Sequence, residues 1–424
     1  MQRLEITNFS TIDHCEIDIH RFTILIGPQA TGKSVIAKIA YFLKGLCSAL
    51  FMSYILQNQS QEEFEKAILD KFEKLFPRNT WSKSPFSIEH RVGDYSIRIF
   101  SEIDKLENAK TKIVFSKSIL LLLHNVKKTF TSQLIDISRD DEKIILPYFS
   151  QKVIPYAKTL YEHIRNDVTL QDVFNISIFI PASRSILFLV GNIIYTLINS
   201  GASFDNFLIE FGEIYERFKK KYDTHTEETR KIQSVLSKII NQVIKGVYVH
   251  EDGQDWIKSK QGKIRLSHAS SGQQESLPML IVLNELCRSS PSYGEYYAFI
   301  EEPEAHLFPF AQKSIVTLLS LIHSHAQAKI FITTHSPYIL SAMNILITAH
   351  DALTDNNQEQ IAAIIGDAAP IRFEDVAAYN VDNGGCTSIL DHENRLIGVN
   401  IIDEVSDAFD AEFDKLLILL PTPA

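Results

Sequence analysis

The sequence predicts an α/β fold, and three short apolar runs carry that prediction. FTILI (22–26), YYAFI (296–300) and AKIFITT (328–334) are rich in β-branched and aromatic residues, as buried strands are. The first run is followed by the glycine-containing loop GPQATGKS (27–34) and then by VIAKIAYFLKGL, which has helical spacing. Strand, loop and helix in this order are the units of an α/β protein.

Bulk composition excludes several classes of protein. The chain has 424 residues, is 45% hydrophobic and 22% charged, and carries a net charge of −10, so we expect two or three globular domains. A molecule of this charge is not a cationic nucleic-acid binder as a whole, and contact with nucleic acid would need a local patch. We expect no signal peptide and no membrane span, because apolar runs such as YFLKGLCSALFMSYIL are interrupted or too short.

Four cysteines are spread along the chain, at positions 15, 47, 287 and 386. Their spacing fits neither a zinc site nor a disulfide framework. We therefore expect reduced cysteines and a cytoplasmic protein.

The loop at 27–34 matches GxxxxGK[ST], the phosphate-binding P-loop, between a strand and a helix as the motif requires. Its glycines let several backbone N–H groups point at one anion, and the helix start adds its positive end. Lys33 is expected to pair with the β- and γ-phosphates of ATP, and the Ser34 hydroxyl to ligate Mg²⁺. The predicted nucleotide contacts of this loop are Gly27, Pro28, Gln29, Ala30, Thr31, Gly32, Lys33 and Ser34.

The strand at 296–300 ends in the acidic sequence EEPE. Carboxylates at a buried strand end are costly unless a cation is present. We expect Glu301 to hold Mg²⁺, directly or through water, and Glu302 to act as general base toward the attacking water. The third apolar run ends in THSP, where His335 is placed to hydrogen-bond the γ-phosphate.

The order GPQATGKS, ASSGQ, FIEEPEAHLFP, ITTHSP resembles the ATP-binding-cassette (ABC) ATPases of the RecF, SMC and OLD branch. The resemblance implies a P-loop NTPase fold, an ABC-type ATPase head with strand and helical insertions. It also implies that ASSGQ is the family signature, which closes on ATP held by a second subunit and so forms an ATP-sandwiched homodimer or higher oligomer. The implied signature contacts are Ser270, Ser271, Gly272 and Gln273. Ser270 also fits a plain helix cap, and the two roles are compatible because both use the same N–H groups.

The EEPE motif and the segment FIPASRS (179–185) resemble the ATPase subunits of bacterial antiphage systems, such as PtuA of Septu and AriA of PARIS. These relatives act with a companion nuclease or toxin, so the resemblance implies an effector partner. Arg184 of this segment could reach phosphate or the partner subunit, and it could equally cap a helix.

The remaining elements predict a divided head, made of residues 1–50 and 170–345. MQRLEITNFSTIDHCEIDIH reads as two strands, 86–102 as a hairpin with a further strand near 113–118, and 247–265 as strands before the signature. We expect residues 51–169 to form a strand and helical insertion and residues 346–424 a C-terminal appendage.

These observations predict an ATPase that dimerises around ATP and controls a partner effector in antiphage defence. Two alternatives stay open: a RecF-like repair ATPase that binds duplex DNA, and a nucleotide-locked scaffold that stores a partner protein. The best basic patch is Arg217 with Lys219, Lys220 and Lys221, which also reads as a solvated helix face. The tail contains no DxD pair, so we expect no nuclease activity in this chain.

Overall fold

The structure is a computed structural model. It describes residues 2–45, 50–56, 59–82, 84–103, 109–131, 176–187, 205–219, 230–251, 253–293, 295–398 and 410–416.

Sixteen strands lie within the described residues. They are β1 (Gln2–Phe9), β2 (Ile12–Ile19), β3 (Phe22–Ile26), β4 (Ser87–Val92), β5 (Tyr95–Ile103), β6 (Ala109–Phe115), β7 (Ile176–Ile180), β8 (Val247–Glu251), β9 (Gln254–Ser259), β10 (Gly262–Arg265), β11 (Tyr296–Glu301), β12 (Lys329–Thr334), β13 (Val376–Asp382), β14 (Gly385–Ser388), β15 (Leu390–Asp391) and β16 (Leu396–Ile397). The strands predicted before β3, in the hairpin region and before the signature are confirmed.

Eleven of these strands form one sheet in the order β6-β5-β4-β1-β2-β14-β13-β3-β12-β11-β7. The half that contains β13, β3, β12, β11 and β7 is parallel. The other half is mainly antiparallel, with β1 paired to both β2 and β4. The strands β8 to β10 form a separate antiparallel sheet.

Ten α-helices between residues 33 and 365 lie in the part of the chain that the structure describes. They are α1 (Lys33–Gly45), α2 (Phe51–Leu56), α3 (Gln61–Leu75), α4 (Lys117–Thr131), α5 (Asn206–Lys219), α6 (Arg230–Ile244), α7 (Ser271–Tyr293), α8 (Pro309–Ala326), α9 (Pro337–Asp351) and α10 (Gln358–Ile365). Several helices begin at residues that favour a helix start. The helices α8 and α9 have proline at the first position, and Ser60 with Glu63 forms a capping box at α3. Among the described helices, none is both long and apolar enough to cross a membrane.

The central strands are buried on both faces, which is why they read as continuous apolar runs. Successive side chains of a strand point to opposite faces. Ala298 and Ile330 accordingly enter one core with residues of α6 to α9, whereas Phe299 and Phe331 enter the other core with residues of α1 to α4. The central strands therefore pack against a hydrophobic core on each face of the sheet.

The helical regions expected between the motifs are described only in part. The structure gives α4, α5 and α6, while the rest of those predictions, including Lys220 and Lys221, lies outside the described residues.

The expectation that residues 346–424 form an appendage differs from the structure. The strand β13 lies in the main sheet and pairs in parallel with β3, with Val376 opposite Phe22 and Asn380 opposite Ile26. It occupies a central place beside the P-loop strand. The sequence could not reveal the position of β13, because strands far apart along the chain can be neighbours in a sheet.

The expectation of reduced cysteines is wrong for one pair. Cys15 and Cys386 form a disulfide with their Cα atoms 5.1 Å apart, across a sequence separation of 371 residues. They come together because β2 and β14 are neighbours in the sheet. Cys287 is buried and forms no disulfide within the described residues, and burial raises the pKa of its thiol to about 11.

Candidate functional site

The predicted motifs meet at one edge of the parallel half-sheet. Ile26 of β3 pairs with Thr334 of β12, and Glu301 of β11 pairs with Thr333. The three strands therefore end side by side, and the segments that follow them share one edge. Ligands of open α/β sheets bind at this carboxyl edge.

The P-loop begins at a position that only glycine can occupy. Gly27 has φ +150°, and a Cβ atom there would lie 2.2 Å from the carbonyl oxygen of Val381 in β13. The crowding comes from the C-terminal strand and not from the loop itself. Of the other predicted contacts, Pro28, Gln29 and Ala30 are exposed and Thr31 and Gly32 are half-buried. The outer part of the loop is thus accessible from solvent.

Lys33 lies at the first position of α1 and is buried under its own loop. Its ammonium donates to the carbonyl oxygen of Gly27 at 2.8 Å and to that of Pro28. Burial lowers the pKa of Lys33, and the charges of Glu302 and Glu304 oppose that shift. The cation therefore lies between the loop and the acidic strand end, where phosphate groups would meet it.

Glu301 and Ser34 are adjacent and fit a magnesium ion. Glu301 is buried, with one oxygen accepting from the Ala182 N–H at 3.1 Å and the other lacking a partner among the described residues. Burial raises the pKa of this carboxyl, whereas the Lys38 charge, the Ala182 N–H and the Ser34 hydroxyl act in the opposite direction. A hydroxyl beside an unsatisfied carboxylate oxygen is the kind of donor set that Mg²⁺ takes, with phosphate and water as further ligands.

The Glu301→Gln substitution should remove a pH dependence of stability. Because the pKa of Glu301 is raised by folding, its favourable contribution is complete below the pKa of the unfolded carboxyl and is lost as pH rises through the folded pKa. Glutamine stays neutral, so the variant should gain stability relative to wild type as pH rises above about 4, the pKa of an unfolded glutamate. The gain should be about 1.4 kcal/mol for each unit by which folding raises the pKa of Glu301.

Urea unfolding of both proteins across this pH range, without nucleotide or metal, measures the difference directly. A stability difference that does not change with pH would show that folding does not raise the pKa of the Glu301 carboxyl.

Glu302 and His335 face one another at the same edge. The Nε2 atom of His335 lies 3.4 Å from a carboxylate oxygen of Glu302, and both side chains are partly exposed. Glu302 has φ +42°, a left-handed conformation that non-glycine residues adopt rarely and often at functional sites. The two residues proposed for catalysis are thus brought together, next to the Lys33 cation.

Glu304 has a role that the sequence does not predict. Its buried carboxylate accepts hydrogen bonds from the Thr334 hydroxyl at 2.5 Å and from the His335 N–H at 2.9 Å. Burial raises its pKa, and these two hydrogen bonds oppose that shift. Glu304 therefore fixes the backbone that carries His335. The only signal in the sequence was the third acid of EEPE, which has no spacing rule of its own.

The predicted signature forms the start of α7. The Ser270 N–H donates to the side-chain oxygen of Gln273 at 3.0 Å, and the Gln273 N–H donates to the Ser270 hydroxyl at 3.4 Å, so the helix-cap role is present. The Gln273 amide also donates to the Ile244 carbonyl oxygen at 2.6 Å and is engaged within the chain. Ser270 and Ser271 are exposed, and a Cβ at Gly272 would lie 2.7 Å from the His306 carbonyl oxygen.

Arg184 is buried inside the chain. Its side chain is 0% exposed, which excludes contact with a partner surface in this conformation. The guanidinium donates to the carbonyl oxygens of Glu275, Glu301 and Glu302 at 2.9, 3.0 and 3.1 Å. Sequence reasoning could not foresee burial, because arginine is rarely buried and no local pattern marks the exception.

Comparison with solved structures finds matches over most of the chain, at low identity and low TM-score. The SMC head domain from Thermotoga maritima is 11% identical, with 91% of this chain and 97% of that chain covered and a TM-score of 0.35. An SMC head bound to the C-terminal winged-helix domain of ScpA is 13% identical, with 92% and 98% covered and a TM-score of 0.37. The recombination mediator RecF of the RecFOR pathway is 12% identical, with 91% and 97% covered and a TM-score of 0.30.

No curated protein matches the sequence. The family model described as AAA ATPase domain, AAA_15, matches residues 1–340. That range contains the P-loop, the acidic strand end, the signature segment and His335. The expected fold class, an α/β P-loop ATPase head with strand and helical insertions, is confirmed, and the chain belongs to the AAA_15 family of AAA ATPase domains.

Proposed function

We propose that this chain binds ATP with Mg²⁺ and hydrolyses it in a dimer that controls a partner effector. One observation carries the proposal: the Glu302 carboxylate lies beside His335 and the buried Lys33, at the edge where Ser34 adjoins the unsatisfied Glu301. A cation, two metal-ligating oxygens, a base and an imidazole at one edge are the parts that phosphoryl transfer to water requires.

Each side chain has a distinct role in this site. The Lys33 ammonium exchanges the carbonyl oxygens of its own loop for the β- and γ-phosphates of ATP. Ser34 and Glu301 hold Mg²⁺, which neutralises charge that develops on the phosphates. Glu302 accepts a proton from the attacking water, and His335 donates a hydrogen bond to the γ-phosphate.

The start of α7 supports a dimer. Ser270 and Ser271 are exposed, and the hydrogen bonds of Ser270 stay within the first turn of its own helix. The start of a helix is a favourable place for an anion. We therefore assign this surface to the γ-phosphate of ATP bound by a second copy, which gives two composite sites in each dimer.

Mixing two inactive variants tests the dimer. Ser270→Arg blocks the docking surface for the partner's nucleotide, and Lys33→Ala removes the cation of the P-loop. In a mixed dimer, one site combines the intact P-loop of the first variant with the intact signature of the second, and the other site carries both changes. We expect the mixture to regain part of the wild-type ATPase activity while each variant alone stays inactive.

The matched control for this experiment is Ser267→Arg, which introduces the same side chain three residues earlier, at another exposed position. It should hydrolyse ATP as wild type does. Full activity of Ser270→Arg alone would reduce the signature segment to a helix cap and would end the sandwich proposal.

The effector is proposed to be a companion protein of an antiphage system, supported by the EEPE and PASR resemblance and by the net charge of −10. Lys219 of the basic patch already has acidic partners, because it pairs with Glu216 at 2.8 Å and with Asp255 at 3.2 Å. Its charge is therefore less available to DNA. Duplex DNA binding measured against salt, with and without ATP, separates this proposal from a RecF-like role. Strong salt-dependent binding would favour DNA, and a slope near zero leaves the protein partner.

A further inference from the structure

Arg184 joins two parts of the site that are far apart in sequence. It lies shortly after β7, between the start of α7 and the end of β11. Its Nε atom donates to the Glu275 carbonyl oxygen in the second turn of α7. Its two terminal nitrogens donate to the carbonyl oxygens of Glu301 and Glu302. One rigid planar group therefore holds the helix and the acidic strand end together.

A second set of contacts completes the same junction. Glu275 is buried, and its carboxylate accepts from the Arg184 N–H at 2.8 Å and from the Ser185 hydroxyl at 2.5 Å. The Arg184 guanidinium lies 3.6 Å from this carboxylate. A buried charge pair of this kind is costly to assemble and still costlier to break on one side. Its use is to fix one arrangement of the groups around it.

The group held at the strand end is the proposed base. Glu302 has φ +42°, and its N–H donates to the Thr333 carbonyl oxygen at 2.9 Å. With its carbonyl oxygen bound by Arg184, the peptide on each side of Glu302 is fixed. A left-handed residue persists only when its surroundings hold it there. The direction of the Glu302 carboxylate therefore depends on Arg184, and through Arg184 on the position of α7.

We infer that Arg184 is a positioning residue that couples the two ATP sites of the dimer. The inference rests on the proposed function, in which α7 begins at the nucleotide of the second copy while Glu302 acts on the nucleotide of its own P-loop. Docking of the partner's nucleotide on Ser270 moves or stiffens α7. The Glu275–Arg184 junction transmits that change to Glu302, so occupation of one site favours hydrolysis at the other.

Glu275→Gln tests the coupling with little change in shape. It keeps the size of the side chain and removes the charge that pairs with Arg184, at a cost in stability that thermal unfolding of the variant measures. ATPase rate against ATP concentration should give a Hill coefficient between 1 and 2 for wild type, since two sites set the upper limit. The variant should approach 1, with its maximal rate reduced by less than the roughly 10²–10⁴-fold that loss of the general base itself would cost.

Arg184→Lys is the second variant. Lysine keeps the charge but cannot reach three carbonyl oxygens in one plane, so it should show the same loss of cooperativity. Glu285→Gln is the control on the same helix: its carboxylate pairs with Arg288 at 2.7 Å, away from the site, and cooperativity should be that of wild type.

The affinity for ATP must be measured in a variant that cannot form the ATP-bound dimer. In the Ser270→Arg background, adding Glu275→Gln should leave ATP affinity within about twofold, because the junction does not contact the P-loop. A large fall in that affinity would overturn the inference, since the junction would then merely hold the site together.

The inference and the proposed function fail in different ways. Absence of ATP-dependent dimers in analytical ultracentrifugation would reject the proposed function. Dimers that form normally, with the same Hill coefficient in wild type, Glu275→Gln and Arg184→Lys, would reject the coupling alone.

Discussion

The Glu302→Gln variant should bind ATP as tightly as wild type and turn it over about 10²–10⁴ times more slowly. Glutamine keeps the shape of the side chain and its position 3.4 Å from His335, but it cannot take a proton from water. Nucleotide binding uses the loop at 27–34 and should survive. Dimers should accumulate with ATP, because the step that opens them has been removed. Single-turnover hydrolysis and sedimentation with ATP measure the two effects.

Glu295→Gln is the matched control for this change. Glu295 immediately precedes β11, at the end of the strand opposite to Glu302, and pairs with Lys329 at 3.1 Å. The substitution therefore does not reach the site. Its turnover should be that of wild type. Normal turnover of Glu302→Gln would move the role of base to another acid, and the buried Glu304, which anchors the His335 backbone, would be examined next.

Lys33→Ala should abolish measurable ATP binding while leaving the fold intact. The ammonium would make two hydrogen bonds to phosphate, worth about 1.5–3 kcal/mol each, so affinity should fall by roughly 100-fold or more. The substitution also leaves the carbonyl oxygens of Gly27 and Pro28 without their donor, which should cost about 1–3 kcal/mol of stability. Isothermal titration with ATP and circular dichroism on the same sample separate these effects.

The control for lost charge is Lys238→Ala. Lys238 is exposed on α6 and pairs with Asp367 at 2.6 Å, remote from the P-loop. It should bind ATP normally. Wild-type affinity in Lys33→Ala would show that residues 27–34 are not the nucleotide site.

Much of the site could be predicted because its parts are local patterns. The P-loop is one continuous segment whose glycines, lysine and serine have fixed spacing, and β3 and α1 flank it as expected. The acids at the end of β11 and His335 at the end of β12 were found as polar residues that follow buried strands. Such features depend on neighbours within a few residues, and a sequence records them directly.

Contacts between distant segments could not be predicted in this way. The buried Arg184 binds Glu275 and Glu302, which lie 91 and 118 residues further along the chain. The disulfide of Cys15 with Cys386 crosses almost the whole chain. Spacing along the chain says nothing about either, because each depends on which elements pack side by side.

The sequence by itself determined the fold class, the strands that end at the site and the chemical types of the groups placed there. Alternation and motif spacing act through local geometry, which any one chain segment specifies. Only the tertiary structure decided that β13 closes against Gly27, that Glu304 holds His335, and that Arg184 binds the acidic strand end to α7. Those arrangements arise from strand order and from the need of each buried polar group for a partner, and both are properties of the packed chain as a whole.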